Sequence, residues 1–167
     1  RPLTLLDQTA NVWVYTRART LPVVRLVARA EVIPDEQAAI ARIHEPAFDP
    51  AQTAILAQEP PCLLDGDAAG TAVTQDRSAS HWTINTEASG SMLLVLGETA
   101  YPGWQVYIDG QPAEPLTAYT AVRAVCVPAG QHTVTWTFRP TIFLVGGLLS
   151  LLTLVLAAAA GWRTYRA

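Results

Sequence analysis

Lysine is absent from this sequence; all eleven basic residues are arginine. Charge of either sign is scarce. Acidic and basic residues together make up 15% of the chain, against about 25% in an average soluble domain. The net charge is −3 and the pI is about 5.5. No basic field exists to draw in a polyanion, so nucleic acid is not an expected partner. Cysteine is confined to Cys62 and Cys126. Neither belongs to a Cys-x-x-Cys pair or to a Cys/His ligand spacing, which removes the usual zinc signatures. The two can pair if the domain lies outside the cytoplasm, or they are two small buried hydrophobes, the commoner fate of a sparse cysteine. His44, His81 and His132 are far apart in sequence and show no metal spacing. Asp65, Asp67 and Asp76 cluster loosely near Gly66 and Gly70 without the spacing of a calcium loop. Ser78, Ser80 and His81 make no triad, because nothing holds a nucleophile against a base. The expectation is no catalytic residue, no metal and no cofactor within these residues.

What the sequence does have is one long apolar run. Ile142 to Gly161 carries no charge and no proline. At about 1.5 Å rise per residue a helix of this length crosses roughly 30 Å, the hydrocarbon thickness of a bilayer. A buried helix of a soluble protein is seldom apolar on every face for so long. The run is therefore expected to be a transmembrane helix over residues 141–162, in contact with membrane lipid. Arg139 and Pro140 precede it; Trp162, Arg163, Tyr165 and Arg166 follow it. The arginine excess after the span favours a cytoplasmic tail at 163–167 and an extracytoplasmic domain at 1–140. Gly146, Gly147 and Ser150 either admit a second helix at close range or face lipid. The chain opens on Arg1 rather than Met, and the expectation is the C-terminal end of a longer protein.

Before the span the pattern is mainly β. Residues 11–15 form a short β-like run. Residues 22–33 are rich in β-branched side chains and read as one largely buried strand. Pro34, Asp35 and Glu36 open a helix to about Ile43, since proline and acids suit a first turn. Thr53 to Leu56 reads as a strand, and 58–70 as a loop rich in Pro, Gly and Asp. Thr71 to Arg77 is the next strand. His81 to Glu87 alternates, with Trp82, Ile84 and Thr86 on one face. Met92 to Leu96 is apolar on both faces and reads as a central strand. Trp104, Val106 and Ile108 share one face, with Gln105 and Tyr107 on the other. Asp109-Gly110 is a strong hairpin signal, because a type I′ turn needs positive φ at both central residues. Ala121 to Val127 and Gln131 to Phe138 complete the series. Short strands punctuated by turn residues predict a mainly β fold. The expected architecture is an antiparallel, jelly-roll-like β-sandwich with one short helix, followed by the transmembrane helix.

Several of these residues carry a resemblance. Leu94-Val95-Leu96, Glu98, Tyr101-Pro102-Gly103-Trp104 and Asp109-Gly110 resemble, in that order, the C-terminal region of the bacterial YfhO-type membrane proteins. So do Ala121 to Val125, Val127-Pro128-Ala129-Gly130, His132-Thr133-Val134 and the Phe138-Arg139-Pro140 that leads into the span. Leu21-Pro22, Val32 and Phe48-Asp49-Pro50 fit as well, so the resemblance covers most of the chain. It implies a polytopic protein similar to membrane glycosyltransferases that use lipid-linked sugars, with a link to glycosylation of cell-envelope polymers. The catalytic acids of such proteins are expected in an early extracytoplasmic loop, so no residue here inherits that role. The implied partners are the remaining membrane helices and a glycan or lipid-linked sugar.

The candidate glycan-binding residues are Tyr107, Arg123, Tyr119 and Trp104. Aromatic faces stack on sugar rings, and Arg123 or Asp109 can hydrogen-bond hydroxyls. Alternation argues that Trp104 is core and that Asp109 is a turn former. Tyr107 and Arg123 are then the expected surface positions. Two functions follow: an accessory domain that orients an acceptor polymer, or a non-catalytic structural or partner-binding module. Neither requires a cofactor.

Overall fold

A computed structural model describes residues 3–9, 11–17 and 20–165. In chain order the elements are β1 (Leu3–Thr9), β2 (Val12–Arg17), β3 (Val24–Val27), β4 (Arg29–Val32), α1 (Glu36–His44), β5 (Thr53–Leu56), β6 (Gly70–Arg77) and β7 (His81–Ala88). Then come β8 (Met92–Thr99), β9 (Trp104–Ile108), β10 (Gln111–Ala113), β11 (Leu116–Ala118), β12 (Val122–Val127), β13 (Gly130–Phe138) and α2 (Thr141–Tyr165). The fold is mainly β, as expected. A five-stranded sheet has the order β10-β9-β13-β7-β6, and a six-stranded sheet the order β3-β8-β12-β11-β5-β4. From β7 to β13 the chain passes back and forth between the two sheets.

The six-stranded sheet differs from a plain sandwich layer in two ways. β4 and β5 pair in parallel, whereas the other pairs are antiparallel. And its two edge strands, β3 and β4, are separated in sequence only by Ala28. One residue bridges at most about 7 Å, so the sheet must curl until its edges nearly meet. The run 22–33 is thus one stretch of chain that serves as two strands, each with a different partner. Inside the curl lie Val27, Ala54, Leu56, Leu93, Val95 and Ala118. Leu94, Leu96 and Val125 point the other way, into the core shared with Trp82, Ile84 and Trp136 of the five-stranded sheet. β8 is therefore apolar on both faces because both faces are buried.

A helix and a disulfide close the curled sheet. Asp35 caps α1, its Oδ1 accepting from the Ala38 N–H at 2.8 Å. Ala39 packs with Phe48 and Ile55, so β5 too is covered on both sides. Arg42 meets both carboxylate oxygens of Glu31 at 2.8 Å and pins α1 to β4. Cys62 and Cys126 form a disulfide with a Cα–Cα distance of 6.2 Å across a separation of 64 residues, which decides between the two fates open from sequence. It fastens the 57–69 loop to the inward-curled face of β12, beside Leu64.

Strands β1 and β2 pair with each other as a separate two-stranded sheet. β1, β10 and β11 were not expected. Beyond β13, α2 is long and apolar enough to cross a membrane, with its described side chains exposed. The backbone of Arg166 and the side chains of Arg163 and Tyr165 lie outside the described residues, and with them part of the expected charge bias.

Replacing both cysteines by alanine is expected to cost about 2–4 kcal/mol, since a loop this long regains much of its unfolded-state entropy. Chemical denaturation of the protein in detergent micelles, with and without reductant, measures it; reductant should shift the native protein and leave the double variant unmoved.

Candidate functional site

Alternation along β9 and β12 decides where the four candidates sit. Tyr107 lies on the solvent side of the five-stranded sheet, opposite Thr135 of β13, with its hydroxyl donating to Gln105 Oε1 at 2.9 Å. Trp104 has the opposite parity. It packs against the inter-sheet core and meets the Phe138 ring at 5.3 Å. Arg123 is not at the surface. It shares its parity with Val125 and Val127, and only 4% of it is exposed.

Tyr119 lies apart from the other three, between β5 and α1. Its hydroxyl donates to the Pro50 and Thr53 carbonyls at 2.8 and 2.9 Å, and the Arg25 guanidinium sits 5.5 Å from its ring centre. Burial pushes its phenol pKa up, against the pull of Arg25. Tyr119 and Thr120 both have positive φ, 51° and 64°. That is costly, above all for a β-branched residue, and the bonds from the Tyr119 hydroxyl help to hold the turn there. The structure thus brings Trp104 and Arg123 together, and leaves Tyr107 and Tyr119 elsewhere.

The Arg123 guanidinium carbon stands 3.8 Å from the Trp104 ring centre and 5.5 Å from that of Trp136. Stacking of this kind satisfies the face of the cation. Its edge is a different matter, because guanidinium N–H groups donate in the plane. Nε and Nη1 are buried and have no hydrogen-bond partner among the described residues; the same holds for Trp136 Nε1. Burial lowers the guanidinium pKa and the nearby Glu98 carboxylate opposes that shift; an arginine stays charged regardless. Arg123 lines a cavity of about 400 Å³ with Arg77, Ser78, Trp82, Glu98 and Trp104. Arg77, Trp82 and Glu98 were not among the residues expected from sequence. Trp82 was placed inward, but nothing local ties β7 to the end of β8 that carries Glu98.

A second depression, of about 580 Å³, runs over the outer face of the five-stranded sheet. Thr71, Asn85, Glu87 and Thr133 line it, with Asp109 and His132 at one end. Asn85 accepts from Thr133 Oγ1 and donates to Gln75 Oε1. Asp109 is the turn former expected, with φ of 50° and Gly110 at 80°. It also locks the hairpin to β13. Its Oδ1 accepts from the Thr133 N–H at 2.8 Å and its Oδ2 from His132 Nδ1 at 2.6 Å, while His132 Nε2 lies 3.2 Å from the Ala129 carbonyl. Both ring nitrogens thus face acceptors, which only the imidazolium can serve. The bond to Asp109 holds the His132 pKa above its ordinary value, and the His132 bond, then the Thr133 N–H, hold that of Asp109 below its own. Among the described residues no group of three or more His, Cys, Asp or Glu is placed to hold a metal.

The stability His132 contributes is fully present below its unfolded pKa of about 6.5 and is lost as pH rises through its raised folded value. That of Asp109 is present above its unfolded value of about 3.9 and is lost as pH falls through its lowered one. Between those limits the lock is intact. His132→Asn, which retains a donor near Nδ1 without the charge, should melt earlier than the native protein near pH 6. The gap should close as pH is raised through the folded value of His132, as thermal melts across that range will show.

The comparisons with known proteins join this geometry to a family. No curated protein and no solved structure matches the chain. The family model for the bacterial membrane protein YfhO matches residues 67–150, from the loop before β6 through β13 into α2. That match takes in the Asp109 hairpin, the Arg123 cavity and the first part of the apolar helix, and covers half of the sequence; the chain belongs to the YfhO family of bacterial membrane proteins.

Proposed function

We propose that residues 1–140 are an extracytoplasmic accessory domain of a membrane protein that glycosylates cell-envelope polymers from lipid-linked sugars. In this reading residues 141–162 cross the bilayer, 163–167 form a cytoplasmic tail, and the domain contacts the glycan acceptor. The observation that carries it is the polar depression on the outer face of the five-stranded sheet, the face that also carries Tyr107. Threonine, asparagine and acid side chains there offer donors and acceptors to hydroxyls, and Tyr107 lies on the same face of the sheet, its hydroxyl turned toward Gln105. In the other sheet the central strand β8 is buried on both faces from Met92 to Leu96. A disulfide is a linkage of oxidising compartments, which supports the extracytoplasmic side. No catalytic role is assigned to any residue of the domain.

The second reading, a structural or partner-binding module, draws on β1 and β2. Leu6, Val12 and Trp13 there are 70%, 56% and 53% exposed, a larger apolar surface than a pair of strands normally leaves to water. The variants Tyr107→Ala and Trp13→Ala in the full-length protein separate the two readings. Acceptor orientation predicts that Tyr107→Ala lowers polymer glycosylation about three- to tenfold, the scale of one aromatic contact, at normal protein level in the membrane. Unchanged glycosylation with Tyr107→Ala, together with loss of protein in Trp13→Ala, overturns it in favour of the module.

A further inference from the structure

Arg123, Trp104 and the cavity they share lie at the end of the domain from which α2 departs. The Phe138 N–H donates to the Ser80 carbonyl at 2.9 Å and the Arg139 N–H to the Gly103 carbonyl at 2.7 Å. Ser78 and Trp104 line the cavity, so its walls are built from the same turns that hold the entry to α2. If α2 lies in a bilayer, the cavity sits close to the headgroups.

The polar chemistry at and behind its Arg123 wall is one-sided; Arg123 lines the cavity and Trp136 lies behind it. The three buried side-chain nitrogens without a partner among the described residues are Arg123 Nε, Arg123 Nη1 and Trp136 Nε1. All three are donors, and they belong to two side chains in contact. Leaving such donors unpaired costs about 1–3 kcal/mol each, more where the group is charged. A ligand that relieves this must be rich in acceptors and compact. The fixed fork of a guanidinium matches a phosphoryl or carboxylate group edge-on. Arg77 adds a second positive charge to the lining, Glu98 is its one acid, and Glu98 makes no ion pair with Arg123 among the described residues. The lining therefore carries a net positive charge.

We propose that this cavity binds a phosphoryl oxyanion at the bilayer-facing end of the domain, with the guanidinium of Arg123 as its principal donor and Trp104 holding the guanidinium plane. The group comes from a lipid headgroup or from free phosphate; the chemistry is the same. The cavity lies on the inner side of the sheet that carries Tyr107, so it stands or falls separately from the glycan reading.

The test follows tryptophan fluorescence of the full chain in neutral detergent micelles, titrated with inorganic phosphate and, separately, with mixed micelles of phosphatidic acid against phosphatidylcholine. A saturable change with phosphate, or one confined to phosphatidic acid, supports the site and identifies the source. Arg123→Met should weaken it about tenfold or more, the worth of a hydrogen bond between charged groups. Glu98→Gln, which removes the opposing charge, should tighten it several-fold. If Arg123→Met does not fold, as judged by circular dichroism and melting, Arg123→Lys takes its place, with several-fold loss expected because the fork is gone. No saturation with either ligand in the folded native protein overturns the proposal. So does an unchanged titration in the folded Arg123 variant, or binding that Glu98→Gln leaves equal or weakens, since Glu98 would then be the counterion of Arg123.

Discussion

The domain is organised by a strand that has no wet side. Leu93 and Val95 of β8 face one way and Leu94 and Leu96 the other, and all four are fully buried. An apolar strand of this kind must be covered twice. The five-stranded sheet covers one face. The other is covered by the curl of β8's own sheet, which the break at Ala28 makes possible, and the tethered loop closes over it. β12, paired with β8 along its length, inherits the same two-sided enclosure. Arg123 is the exception on that strand, a charge where its neighbours of equal parity are valines.

The parts of this fold that could be read from the sequence are those where one face meets water. β7, β9 and β13 alternate, and the side that Trp82, Val106 and Trp136 should occupy follows from period two alone. The Asp109-Gly110 turn was legible for a local reason, the positive φ its geometry demands. The run 22–33 was less so. Its apolar residues say that it is buried, but nothing within it says that one half pairs with β8 and the other with β5, because those partners lie tens of residues away. β10 and β11 are three residues each, too short to display a period.

The site was legible in halves. Arg123 has the parity of Val125 and Val127, so its inward direction was present in the sequence; what tells against it is the cost of burying a charge. The term that offsets this cost, stacking on Trp104, depends on two strands from different sheets meeting at one end of the core. Trp104 was assigned to the core by alternation, and it does pack there. Its second role, as a platform for a cation, belongs to tertiary structure alone. Tyr119 was a candidate for its aromatic face, yet its hydroxyl is engaged by backbone carbonyls contributed from residues 50 and 53.

The join between β13 and α2 has almost no slack. Phe138 and Arg139 are still hydrogen-bonded to neighbouring turns, Gly103 sits against Pro140 so closely that a Cβ would lie 3.1 Å from its Cα, and the helix begins at Thr141. A flexible linker would let the helix turn freely beneath the domain. Here only Arg139 and Pro140, the latter with its φ held by the ring, separate sheet from helix. The two act as a stiff crank: a roll or tilt of the helix is delivered as torque to the last strand, and through it to the turn that carries Trp104.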